Sequence, residues 1–99
     1  VVYVANWPEI RSDIWHTLLK ARAIENQSYC IGVNRIGKDA NHTTHSGDSA
    51  CVSPWGIEKK LNPNQETMQT IELSKTELVE IKSKFPAYLD ANEFVLTVK

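Results

Sequence analysis

Apolar and polar positions follow several different rhythms along this chain, and each rhythm predicts an element. Val1, Val2, Tyr3 and Val4 form an unbroken strand-forming run, which suits a strand covered on both faces inside a layered sheet. Asn6 then stands where a helix cap is expected, and Pro8 where a first turn tolerates a missing N–H. From Glu9 to Asn26 the period turns helical. Ile10, Ile14, Leu18 and Ala21 share one stripe that should face the sheet, and Trp15 and Leu19 widen it. Ala23 and Ile24 sit further round, and His16 and Lys20 are expected to point outward. Apolar side chains spread so widely give this helix a second surface to bury, against a second copy of itself.

The next run, residues 28–36, is apolar at most positions and reads as an interior strand ending near Arg35. Residues 37–42 are rich in turn formers. Residues 46–53 read as the returning strand, closed by Pro54, Trp55 and Gly56. The polar stretch 57–65, with Pro63, reads as a connector, and 66–73 alternates as a further strand would. Ser74 followed by Glu77 forms a capping box ahead of Leu78, Ile81 and Phe85, and Pro86 stops that helix. The tail has no period until residues 94–98, an extended arm. Strand, helix, strand, strand, strand, helix and tail in this order suit an α/β layer pair.

Composition narrows the function classes. With 99 residues the chain makes one domain at most, and 41% hydrophobic and 23% charged residues are ordinary globular values. The net charge of -1 comes without a basic cluster, so no nucleic-acid partner is expected. No apolar run approaches the roughly 20 residues that cross a bilayer, so no membrane partner is expected either. The two cysteines, Cys30 and Cys51, lie in strand-like runs and are expected to be buried free thiols acting as small apolar residues. His42 and His45 lie near Asp39, Asp48 and Cys51. They lack the paired spacing of a metal site, so exposed loop histidines and no metal are expected.

Two groups of residues stand out as candidates. Asn6 and Trp7 follow the first strand at its carboxyl end, where α/β sheets present ligand sites. Arg22, Glu25 and Asn26 end the first helix. They read either as a solvated last turn or as a buried hydrogen-bonded cluster between helix and sheet.

Five words carry a family resemblance: A-N-W-P at Ala5 to Pro8, W-x-x-L-L-x-A-R-A-I-E-N-Q from Trp15 to Gln27, G-V-N-R at Gly32 to Arg35, G-D-S at Gly47 to Ser49 and P-W-G at Pro54 to Gly56. In this order and spacing the chain resembles the nitrilase (carbon–nitrogen hydrolase) superfamily, nearest its omega-amidase branch. The resemblance implies an α/β fold of the αββα sandwich type, with residues 1–99 as the C-terminal portion of a single domain. It implies a Glu-Lys-Cys triad whose Cys lies in a C-Y-D-x-R-F-like elbow. No such word occurs here, so the catalytic residues are expected upstream and this piece is expected to be inactive alone.

The resemblance further implies that Asn6 and Trp7 line a substrate pocket and that Arg22, Glu25 and Asn26 form the buried structural cluster. It implies a cytoplasmic homodimer paired through the helix from Glu9 to Asn26, acting without a cofactor on a small amide, the omega-amide of a dicarboxylate. Nitriles, ureido compounds and aliphatic amides are the other substrates such a chain could serve. A non-catalytic dimerisation or binding module is the alternative from a different class.

Overall fold

A computed structural model describes all residues, Val1–Lys99. Its organising unit is a strand–helix–strand crossover. β1 (Val2–Ala5) leads through a short 3-10 turn (Glu9–Arg11) into α1 (Ser12–Glu25), which returns the chain to β2 (Cys30–Asn34). β1 and β2 are parallel, from Val2 beside Ile31 to Ala5 beside Asn34. β5 (Ala50–Val52) and β6 (Glu58–Lys60) continue the sheet antiparallel, giving the order β1-β2-β5-β6. β3 (Ile36–Lys38) and β4 (Thr44–Ser46) form a separate hairpin. At its tip the Asp39 carboxylate accepts the N–H groups of Asn41 and Thr43, and these bonds hold its pKa below the usual carboxylate value.

Alternation along β2 decides what α1 touches. Cys30 and Gly32 point toward the helix and, with their cross-strand partners Val52 and Ala50, meet Trp15, Leu19 and Ala23 in one core. Gly32 is required at the closest point, because a Cβ there would lie 2.5 Å from Leu19 and 2.6 Å from Trp15. The helix therefore buries the row Trp15, Leu19 and Ala23. The expected core stripe is the outer one: Ile10 is 91%, Ile14 51% and Leu18 41% exposed. Sequence spacing identifies which residues share a face, but Gly32 admits only the row whose bulk lies over it.

Other expectations are corrected by the same architecture. Within residues 1–99, β1 lies at the end of the strand order and Val4 is 84% exposed, where a covered strand was expected. Asn6 caps nothing: Pro8 precedes the 3-10 turn, Arg11 precedes α1, and neither end has a side-chain cap. The run 28–36 divides at Arg35 between β2 and β3. The run 46–53 divides because Gly47 and Asp48 both take left-handed φ, +82° and +55°. Residues 57–65, read as a connector, contain β6, a polar edge strand. Residues 66–73, read as a strand, have no ladder partner and no regular structure.

α2 (Lys75–Lys84) starts as the capping box predicts, with Ser74 accepting the N–H of Glu77. Of its expected face, Ile81 is buried and Phe85 is exposed. The tyrosine of β2's approach ties this helix down: Tyr29 donates to Glu77 at 2.5 Å, which pushes its phenol pKa up. Residues 94–98 are exposed and without regular structure. No helix is long and apolar enough to cross a membrane.

Candidate functional site

The parallel strands β1 and β2 end side by side at Ala5 and Asn34, and the polar side chains of the molecule converge beyond that end. Trp7 is half-buried there. Its indole N–H donates to the Arg11 carbonyl at 2.7 Å, and its ring lies 5.7 Å from that of Trp15. Tyr3, Trp7, Trp15, Leu18, Leu19 and Arg22 enclose an apolar cleft of about 190 Å³ beside the β1 edge. Asn6 stands exposed next to it. Of the two residues expected to face a ligand, Trp7 lines this cleft and Asn6 does not.

Asn34 joins this loop to the turn between β4 and β5. Its side-chain oxygen accepts the Trp7 N–H at 2.8 Å, and its NH₂ donates to the Trp7 carbonyl at 3.0 Å and the Gly47 carbonyl at 2.8 Å. Its main-chain N–H donates to the Ser49 hydroxyl at 2.9 Å. The turn is held from the helix side as well, where the Trp15 indole N–H donates to the Asp48 carbonyl at 2.8 Å. Ser46 donates its hydroxyl to the Asp48 carboxylate.

His16 completes the cluster and corrects the expectation that it points outward. Its Nδ1 lies 2.5 Å from Glu58 on β6, and its Nε2 lies 3.7 Å from Asp48. Helix, turn and edge strand meet through this imidazole. Its position follows from the helix facing: with Trp15 and Leu19 over Gly32, His16 is turned toward β6. His45 is a second correction. It is buried, 1% exposed, with Nδ1 3.1 Å from the Thr43 carbonyl, because β4 packs on the 3-10 turn before α1. His42 is exposed.

Arg22, Glu25 and Asn26 lie toward the far end of α1; Arg22 reaches the cleft lined by Trp7, and Glu25 and Asn26 do not. The three contact one another: Arg22 pairs with Glu25, and the Asn26 amide donates to the Arg22 carbonyl at 2.9 Å. The Glu25 bond pushes the Arg22 pKa up. In this chain the pair is solvent-exposed, with side-chain exposures of 47% and 52%. It is not a buried cluster between helix and sheet, since Ala23 takes the sheet-facing position in that turn.

Cys30 and Cys51 are both free and buried, as expected. Burial raises both thiol pKa values, the opposite of what an attacking thiolate requires. No group of three or more His, Cys, Asp or Glu side chains is arranged to hold a metal ion. The converging polar groups are satisfied by one another, and the cleft beside them is an apolar, aromatic-walled one.

Of these groups, sequence reasoning named Asn6 and Trp7 and assigned no role to Asn34, Asp48, Ser49 or Glu58. The available signal was G-V-N-R, an amide side chain ending an apolar strand, and G-D-S, a turn pair inside a strand-like run.

Comparison with known proteins places this geometry. The sequence profile described as carbon-nitrogen hydrolase matches residues 2–82. Omega-amidase YafV of Escherichia coli (strain K12) is 49% identical over 96 residues, covering 96% of this chain and 38% of the relative. The 2-oxoglutaramate amidase of Bacillus subtilis (strain 168) is 33% identical over 86 residues, covering 87% of this chain and 33% of the relative. Among solved structures, XC1258 of Xanthomonas campestris is a CN-hydrolase superfamily protein with an arsenic adduct in its active site. It superimposes with a TM-score of 0.89 at 42% identity, over 97% of this chain and 36% of that one. The chain thus spans little more than a third of the length of these relatives.

Proposed function

The chain belongs to the carbon–nitrogen hydrolase family, and from that premise we propose that it is the C-terminal portion of an omega-amidase domain. The observation that carries this reading is the 49% identity to an omega-amidase along 96% of the chain. The substrate is a small linear amide, the omega-amide of a dicarboxylate. In the complete protein a Cys thiolate attacks the amide carbon, and ammonia leaves as a thioester forms; water then cleaves the thioester to the acid. A Glu serves as general base and a Lys stabilises the tetrahedral intermediate. These three groups come from outside residues 1–99, and no cofactor takes part.

Asn6 and Trp7 contribute the part of the pocket wall that follows β1. The protein works in the cytoplasm as a homodimer paired through the helical stretch from Glu9 to Asn26. The exposed row Ile10, Ile14 and Leu18 supports that pairing.

Ammonia release from a panel of omega-amides, nitriles, ureido compounds and aliphatic amides tests the reading. The full-length protein should turn over dicarboxylate omega-amides fastest, and residues 1–99 alone should release none. A full-length protein that prefers a nitrile or ureido compound overturns the substrate assignment. Inactivity on the whole panel favours the non-catalytic module.

A further inference from the structure

The β1–β2 ladder ends at the pair Ala5 and Asn34, yet the chain beyond it stays tied to the sheet. The Asn34 side chain supplies that tie. Its oxygen takes the N–H of Trp7 and its NH₂ takes the carbonyl of the same residue, so one amide mimics the strand partner that Trp7 no longer has. The second N–H goes to the Gly47 carbonyl. A primary amide has one accepting oxygen and two donor hydrogens, and all are used. A carboxylate of the same shape would set two carbonyl oxygens against a third acceptor and supply no donor.

The receiving turn is itself constrained. Gly47 has φ +82°, and a Cβ there would lie 2.8 Å from the Ile36 side chain. The indole of Trp7, by contrast, is held by Arg11 and Trp15, which belong to the helix side. The Trp7 main chain takes its position from the sheet through Asn34, and its ring takes its position from the helix.

We propose that Asn34 is a positioning residue for the amidase reaction, fixing the Trp7 backbone and with it the pocket wall that Asn6 and Trp7 present. The proposal rests on the omega-amidase reading. Asn34 does not touch the reacting atoms; it acts through Trp7. A displacement of about 1 Å at a substrate-positioning element can cost on the order of 10²-fold in rate.

The test compares Asn34→Asp with Tyr29→Phe in the full-length enzyme. Tyr29→Phe removes a comparable bond, to Glu77, at the α2 side of the molecule. Asn34→Asp keeps an acceptor for the Trp7 N–H but sets its second oxygen against the Trp7 and Gly47 carbonyls. By pushing the loop off, it should lower kcat/KM for a dicarboxylate omega-amide by roughly 10- to 100-fold and speed hydrogen exchange at the Trp7 amide. Tyr29→Phe should lower the melting temperature and leave kcat, KM and Trp7 exchange unchanged. Should Asn34→Asp not fold, Asn34→Ser, which keeps one hydroxyl, carries the same measurements. Wild-type kcat and KM in a folded Asn34 variant overturn the proposal. So does lost activity with unchanged Trp7 exchange, because Asn34 would then act by another route. A wild-type enzyme inactive on every amide overturns the amidase reading and the catalytic half of this proposal, while Trp7 exchange still decides the clamp.

Discussion

At Gly32 the backbone of β2 passes so close beneath α1 that a single methyl group cannot be added without displacing the core. The nearest atoms belong to Leu19, 3% exposed, and to Trp15, whose indole is pinned to the Asp48 carbonyl. Neither can swing away. Gly32→Ala should therefore destabilise the full-length protein by about 1–3 kcal/mol, the ordinary cost of overpacking a core. Urea denaturation checks this, and a variant with an unchanged midpoint would mean that α1 rides further from the sheet. Asn34, two residues on along the same face of β2, shows a different use of alternation, since its side chain enters a hydrogen-bond network in place of a core. His16 and His45 belong to this scale too. Both read as exposed from their neighbours in sequence, and both are enclosed by elements remote in sequence.

The elements differ in how much of their form is local. α2 begins at Ser74 because a hydroxyl at that point satisfies the Glu77 N–H, one of the helix's unpaired donors. Ser74→Ala should cost about 1 kcal/mol, read as a lower denaturation midpoint, while Ser74→Asp should retain most of the stability. Strands depend on partners instead. β6 is Glu-Lys-Lys and carries no apolar alternation, but β5 offers it an edge in register from Ala50 beside Lys60 to Val52 beside Glu58. Residues 66–73 alternate well and form no strand; several of them line a cleft with Ile31, Val33, Cys51 and Lys59, and none enters a ladder. α1 shows the intermediate case, in which the helix is local but its rotation is not.

The whole molecule is a thin slab, 47 × 43 × 17 Å, with a radius of gyration of 16.5 Å. A compact domain of about 100 residues has a radius near 13 Å. One sheet face carries α1; the other presents Val2, Val4 and Val33, all exposed, and a cleft of about 450 Å³ that Ile31 and Val33 line together with residues of 61–71. The outer row of α1 is a second apolar surface, and the proposed homodimer covers it. Ile14→Asp should convert the full-length protein from dimer to monomer in sedimentation at low micromolar concentration, because a twofold contact places the new charge opposite its copy. A folded variant that stays dimeric would put the interface elsewhere.

Residue periodicity and short words were enough to identify the α/β class, the helices α1 and α2, the capping box of α2, the buried thiols and the family. The elements and thiols depend on residues within one turn or one strand of each other, and the family on the order of short words along the chain. Asn6 and Trp7 were named as site candidates because they directly follow a strand; Trp7 lines a cleft there and Asn6 stands exposed outside it. Three things came only with tertiary structure: which row of α1 is the core, where Asn34, His16 and Asp48 meet, and that Arg22 and Glu25 lie exposed in this chain. The physical reason is common to all three. A helix or strand pattern specifies faces relative to its own axis, while burial depends on what another segment places against that face. Here the absent side chain of Gly32 and the left-handed turn at Gly47 and Asp48 made that choice.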